Sequence, residues 1–340
     1  MKKLLTVVIP AYNAEPFLER CLDSMLKTEY RNDTELLVVN DGSKDKTGEI
    51  AECYARQYPD IVFVIHKENG GHGSGINTGI KNATGKYFKV VDSDDWVEPE
   101  NYHYFLQKLQ EVDCDLIATP FTCVFQKDGQ TIREQMRDIE GRKELESDKV
   151  LDFRTYANKL HVRMHQWTIR TEILKEHTIA LTEHSFYVDM QYILYPIPWI
   201  NTFCIMEESV YCYRLGDEEQ SVAVKSMKKN RGQHRNVLRT LVAFYRERQA
   251  AGDADYVLAY LAKGIAKMQA NEVQVALSLP IGKEAKAQLI EQEKYLKNEC
   301  PSAYEANEKI SIRLLRWSGY GLYRVAAWMW RAVKANKLTK

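Results

Sequence analysis

Apolar and polar positions alternate in blocks along the first hundred residues. Residues 4–9 form an apolar, largely β-branched run stopped by Pro10, which predicts a buried first strand. Residues 16–27 then place Phe17, Leu18, Leu22, Met25 and Leu26 at helical spacing. The same alternation repeats. Strands are predicted at 35–39, 61–65 and 87–91, and helices at 46–58 and 73–82. It predicts an α/β fold with a mostly parallel sheet covered by helices on both faces. From 115 to 224 the pattern is mixed, with strands expected at 115–124, 166–170, 201–206 and 209–214 and a turn at Asp128-Gly129. Beyond residue 226 the periodicity is helical, over 232–249, 255–277 and 283–297.

Three regions follow: 1–115, a ligand-binding half; 116–225, a second half of the same domain; and 226–340, a helical C-terminal region. On a parallel sheet a ligand sits beyond the carboxyl ends of the strands. Polar clusters lie at those ends: Tyr12-Asn13, Asn40-Asp41, the segment 66–75, and Asp92-Ser93-Asp94-Asp95.

Composition narrows the function class. Lysine plus arginine equal aspartate plus glutamate at 47 each, so no global basic field favours nucleic acid. The seven cysteines are odd in number and form no CxxC pair, as expected of reduced thiols. Residues 4–9 are too short for a signal peptide, and no run of about eighteen apolar residues is present to span a bilayer. The expected location is the cytoplasm.

Three carboxylates within Asp92-Ser93-Asp94-Asp95 repel one another, and a hard divalent cation with oxygen ligands relieves that repulsion. A solvated acidic turn capping the helix after Pro99 is the competing reading. Asp41 ends a buried strand, where it either closes a turn or accepts from the base or ribose of a nucleotide. Asn69-Gly70-Gly71-His72-Gly73-Ser74-Gly75 opens a helix, and its bare amides suit a phosphate. No Gly-Lys-Ser/Thr follows, so it is not a Walker A loop. His72, His165 and His184 are further polar residues near these clusters.

Taken together, four stretches resemble family 2 glycosyltransferases of the GT-A fold. They are Val7-Val8-Ile9-Pro10-Ala11-Tyr12-Asn13; Val38-Val39-Asn40-Asp41-Gly42-Ser43; Asn69-Gly70-Gly71 with Asn77-Thr78-Gly79; and Gly85-Lys86-Tyr87 leading to Asp92-Ser93-Asp94-Asp95. Where the family often has an arginine, this chain has Ile76. The resemblance implies a nucleotide-diphosphate sugar donor, with UDP as the nucleotide. Its donor-binding residues would be Pro10, Ala11, Tyr12, Asn13, Asp41, Asn69, Gly71, Asn77, Asp92, Ser93, Asp94 and Arg214. Asp94 and Asp95 would hold a divalent cation, Mn2+ or Mg2+, the Asp-x-Asp motif being readable in two frames. More faintly, the segment from Trp167 to Leu174 and the stretch ending in Val188-Asp189 resemble later family elements. The family's Glu-Asp pair is Val188-Asp189 here. The resemblance makes Asp189 the general base of an inverting transfer to a glycan or lipid-linked acceptor, in cell-surface polysaccharide or glycolipid synthesis. Read without it, Asp189 is an ordinary helix start that satisfies backbone amides. A loop carrying Arg214 and Gln220, with Ser221 beyond, would close over the diphosphate.

Two other functions fit less well. A sugar-phosphate nucleotidyltransferase would have a glycine-rich first loop where Pro10-Ala11-Tyr12-Asn13 stands. A non-catalytic nucleotide-sugar sensor would have no use for Asp189 beside the acidic cluster.

Residues 310–334 read as one amphipathic helix. At about 100° per residue, Arg313, Arg316, Arg324, Arg331 and Lys334 share a sector. Leu314, Leu315, Leu322, Val325, Met329 and Val333 lie opposite, with Trp317 and Trp328 on one border and Trp330 near the other. Such a helix either lies on the inner face of the cell membrane or docks on the protein's own body.

Overall fold

The structure, a computed structural model, describes residues 3–127, 130–136, 145–160, 163–216 and 224–338. Asp128, Gly129, Gln220 and Ser221 lie outside the described residues. The chain divides into two units, residues 1–216 and 217–340. The first unit ends at residue 216, nine residues before the end of the second predicted region.

The strands of the first unit are β1 (Leu5–Ala11), β2 (Thr34–Asn40), β3 (Val62–His66), β4 (Tyr87–Val90), β5 (Trp96–Val97), β6 (Leu116–Ala118), β7 (Phe121–Lys127), β8 (Gln130–Met136), β9 (Val150–Asp152), β10 (Trp167–Arg170), β11 (Thr202–Ile205) and β12 (Tyr211–Leu215). Its helices are α1 (Leu18–Leu26), α2 (Thr47–Gln57), α3 (His72–Asn82), α4 (Pro99–Glu111), α5 (Phe153–Tyr156), α6 (Thr171–Glu176) and α7 (Asp189–Leu194).

The main sheet runs β3-β2-β1-β4-β10-β6-β11-β9. β3, β2, β1 and β4 are parallel, and β10 enters antiparallel to both β4 and β6. Every residue of β1 and β2 is buried. A strand covered on both faces needs an apolar run rather than an alternation, which is what residues 4–9 supply. The chain winds outward from β1 through β2 to β3, then returns to place β4 on the other side of β1. The strand order reverses there, so a crevice opens between the carboxyl ends of β1 and β4.

Helix α3 covers this centre at short range. A Cβ on Gly79 would lie 2.3 Å from Val8 Cγ2, and one on Gly75 would lie 2.9 Å from Pro10 Cβ. These two glycines, one turn apart, let the helix backbone settle onto β1.

The predicted strand 115–124 is two strands in two sheets. β6 belongs to the main sheet and β7 to a smaller one ordered β5-β12-β7-β8. Pro120, between them, has no N–H to give a ladder, and the chain changes sheets at that point.

The second unit is helical: α8 (Val224–Lys229), α9 (Arg231–Ala250), α10 (Asp255–Ser278), α11 (Lys283–Glu299), α12 (Pro301–Glu305), α13 (Ile310–Trp317) and α14 (Tyr323–Leu338). The single helix predicted over 310–334 is overturned: α13 and α14 are separate. The N–H of Tyr320 reaches back to the carbonyl of Leu315 at 2.8 Å, with Gly319 at φ 55° and Tyr320 at φ 63°. A left-handed glycine with that long back-bond terminates a helix. The wheel fails with it. Leu315 is buried while Leu314 is exposed, and Arg316 pairs with the buried Glu293 at 2.6 Å instead of facing water. The side chains of Val333 and Lys334 lie outside the described residues.

Candidate active site

The crevice between β1 and β4 collects most of the predicted residues. Tyr12, just past β1, is half exposed, as is fitting for a ring left available to a ligand. Asn13, at φ 51°, accepts from the N–H of Lys44 at 2.9 Å, and its own N–H donates to Ser43 Oγ at 3.0 Å. These bonds lock the loop after β1 to the loop after β2.

Asp41 is buried and heavily engaged. Its Oδ1 accepts from Lys67 Nζ at 2.8 Å and from the Gly70 N–H at 2.9 Å, and its Oδ2 accepts from the Gly71 N–H at 2.7 Å. Asn69 Nδ2 donates to the Asp41 carbonyl at 2.9 Å. Asp41 thus fixes the 67–71 loop in place, and the amides of Gly70 and Gly71 already meet a carboxylate.

The loop is fixed from its far side as well. The Gly70 carbonyl accepts from the His184 N–H, and a Cβ on Gly73 would lie 2.4 Å from the Thr182 carbonyl oxygen. The Asn77 amide, predicted as a donor contact, is satisfied by backbone. Its Nδ2 donates to the Leu181 carbonyl at 2.9 Å, and its Oδ1 accepts from the Leu181 N–H at 2.8 Å. Asn77 therefore clips α3 to the segment that leads into Asp189, 104 positions away from Leu181.

The acidic cluster follows β4. Its members have different partners. His72 Nε2, on the first residue of α3, is 2.7 Å from Asp92 Oδ1. Asp94 Oδ2 accepts from Arg214 Nη2 at 3.0 Å. Asp95 is fully buried; it accepts from the Tyr211 hydroxyl and, at 2.7 Å, from the N–H of Arg214. Asp95 therefore ties the acidic turn to β12, and Arg214 is held at the same place by its main chain. Ser93 is buried beside them.

Burial and mutual repulsion set the charges. Asp95 is held well above the usual carboxylate range by burial and then by Asp94 and Asp92. Asp94 is raised by burial and by Asp92, with Arg214 opposing. Asp92 goes the other way: burial pushes it up, but the His72 imidazole overcomes that. Burial likewise works against charge on His72, yet Asp92, and more weakly Asp189 and Asp94, raise it overall. Asp189 opens α7; burial raises it, His72 draws it down, and Asp92 pushes it up. Asp189 and the His72–Asp92 pair therefore share one electrostatic neighbourhood.

One residue gains a place that its sequence position did not announce. Asp92, Asp95 and His165 each bring a ligand atom within 4.8 Å of the others. The His165 ring stacks on Tyr213 at 4.3 Å, and burial lowers its pKa to about 4, so it stays neutral. Its buried Nδ1 has no hydrogen-bond partner among the described residues. Two carboxylates and a neutral imidazole are a donor set that fits a divalent cation. Asp94, one of the two predicted ligands, points to Arg214. The segment carrying His165 is braced by Lys89, a fully buried lysine whose Nζ donates to the His165 carbonyl at 3.0 Å and to the Trp167 carbonyl at 3.3 Å. Burial lowers the Lys89 pKa to about 7.

Comparison with known proteins identifies the family and the fold. Residues 6–178, just over half the chain, match the model of glycosyl transferase family 2. The uncharacterized glycosyltransferase EpsJ of Bacillus subtilis is 31% identical over 218 residues, which is 63% of this chain and 62% of that protein. Glycosyltransferase GlyG of Streptococcus pneumoniae is 38% identical over 130 residues, 38% of this chain and 42% of that protein. The chain thus spans less than two thirds of either relative. Among solved structures, S. aureus TarS 1–349 in complex with UDP-GlcNAc superposes with a TM-score of 0.66 at 19% identity, over 97% of this chain and 92% of that one, a likeness of fold. With its motifs gathered at the switch point of the sheet and its first half matching the family model, this chain belongs to glycosyl transferase family 2.

Proposed function

We propose that the protein transfers a sugar, with inversion at the anomeric carbon, from a UDP-sugar to a hydroxyl of a glycan or lipid-linked acceptor. The product would be a cell-surface polysaccharide or glycolipid. The observation that carries the reading is the shared neighbourhood of Asp189, His72 and Asp92 at the mouth of the β1–β4 crevice.

The half-exposed ring of Tyr12 stacks on the nucleotide base, with Pro10, Ala11 and Asn13 shaping the floor. Asp41 acts by holding the loop of Asn69 and Gly71 against the nucleotide. Asp92, Ser93 and Asp94 face the ribose and diphosphate, and Arg214, fixed through Asp94 and Asp95, supplies a positive charge nearby. A divalent cation held by Asp92, Asp95 and His165, with Asp94 adjoining, would neutralise charge growing on the diphosphate.

Asp189 accepts the proton of the acceptor hydroxyl as that oxygen bonds to the anomeric carbon. The bond from that carbon to the diphosphate breaks, and the diphosphate leaves with the electron pair. Burial raises the proton affinity of Asp189, which suits a base, and the neighbouring His72 opposes that rise.

The test is Asp189→Asn. The variant should bind UDP-sugars as the wild type does, by calorimetry, while transfer falls by about a thousandfold or more. Transfer at the wild-type rate would refute the role of Asp189. Failure of every nucleoside diphosphate sugar to raise the melting temperature of the wild type would refute the donor class.

A further inference from the structure

We propose that α13 and α14 form a docking surface for an anionic lipid bilayer, lying in its interface without crossing it. Both helices bury one side in the second unit: Ile312, Leu315, Tyr323 and Ala327 join residues of α10 and α11 in a single core. Their remaining sides are apolar where water would favour polar residues. On α13, Ile310, Leu314 and Trp317 follow one another at helical spacing, and Trp317 is 83% exposed. On α14, Val325, Trp328 and Met329 do the same, with Trp328 67% exposed. Six large apolar side chains, two of them tryptophans, exceed the scattered exposure normal for a soluble surface.

Charge identifies the occupant. Arg313 and Arg324 are exposed within these same faces. The chain from Lys309 to Lys340 holds eight lysines and arginines and no acidic residue, in a protein whose net charge is zero. This segment therefore carries a formal charge of +8, and the rest of the chain sums to −8. Tryptophans beside arginines suit the headgroup level of a membrane, where the indole rings enter the acyl boundary and the guanidinium groups meet lipid phosphates. No helix among the described residues is long and apolar enough to cross a membrane, so the contact is superficial.

This surface differs from the single-helix wheel. Arg316 is withdrawn into its pair with Glu293 and its stacking on Tyr304, 3.7 Å from the ring centroid. Arg331 donates to the Leu279 carbonyl. Deleting residues from 310 onward would also strip four side chains from the core, so point variants are the proper probe.

The full chain should co-sediment with phosphatidylcholine vesicles containing about 30% phosphatidylglycerol, and much less with phosphatidylcholine alone. Trp317→Ser with Trp328→Ser should weaken partitioning by about tenfold or more, with circular dichroism and melting unchanged, because both rings are mostly in water already. Arg313→Glu with Arg324→Glu should remove the preference for anionic vesicles while leaving the core intact. Equal binding to the two vesicle types, or no effect of the tryptophan pair, would overturn the proposal. So would a concentration-dependent dimer, abolished by the tryptophan variant in the absence of vesicle binding, which would make a second copy the occupant.

Discussion

His72 and Asp92 meet across the crevice at 2.7 Å, joining the first turn of α3 to the turn after β4. The two residues are held independently. α3 is pinned to β1 through Gly75 and Gly79, and the main-chain N–H of Asp92 donates to the Tyr211 hydroxyl at 3.2 Å. The pair is thus a strut between two rigid elements, and it sets the orientation of one carboxylate in a cluster that would otherwise spread by repulsion.

Removing the strut should affect turnover more than folding. His72→Gln leaves Asp92 without its charged partner and takes a positive charge away from Asp189. Transfer should fall by about ten- to a hundredfold, the range seen when a partner that orients a liganding group is lost. The melting temperature should move little, because both side chains are partly exposed. Steady-state kinetics beside a thermal melt separates the two. A variant with wild-type turnover would show that His72 serves only packing.

The glycines of α3 and α9 make a graded prediction. Gly79→Ala would bring a methyl to 2.3 Å from Val8 Cγ2 and 2.7 Å from Val8 Cβ, in the middle of the central strand. Overpacking of this kind costs about 1–3 kcal/mol. Gly75→Ala, against the ring of Pro10 at 2.9 Å, should cost less. Gly232, the second residue of α9, has nothing among the described residues within 4 Å of its absent Cβ, so Gly232→Ala should stabilise slightly, by less than the roughly 0.5–1 kcal/mol of a helix interior. Chemical denaturation of the three variants would check the order. A Gly79→Ala protein as stable as the wild type would mean that α3 does not sit this close to β1.

The first half of the fold was legible because each β-α step is local. An apolar run, a polar stop and a helical stripe fall within about thirty residues, and the polar stops mark the ligand edge without any long-range information. Relationships across the chain were not legible. The resemblance made Asn77 a donor contact; that its amide also pairs with the Leu181 backbone, 104 residues on, could not be read from the sequence. His165 was one histidine among three; only the antiparallel entry of β10 beside β4 brings it to Asp92 and Asp95. A backbone break also defeats a periodicity argument. The wheel over 310–334 assumed a constant 100° per residue, and two consecutive left-handed residues, Gly319 and Tyr320, reset the phase. The Gly-Tyr-Gly sequence at 319–321 was the available signal.

His234 makes the second unit sensitive to acid. It is buried on α9 beside Arg231 and Arg235, with its Nδ1 3.6 Å from Glu272 Oε2. Both arginines donate to Glu272 Oε1 at 2.7 Å, so the carboxylate is already neutralised when the imidazole meets it. Burial, then Arg231 and Arg235, lower the His234 pKa to about 4 from the ordinary 6.5. Below pH 6.5 the unfolded chain takes up a proton that the folded chain refuses. Stability from this group is therefore full above about pH 6.5 and is lost progressively as pH falls toward 4, by about 3 kcal/mol at most. His234→Gln removes the titrating group, so the fall in stability from pH 7 to pH 4 should be shallower in the variant than in the wild type. Urea denaturation at several pH values measures both slopes, and parallel curves would show that His234 is not held neutral inside the helical unit.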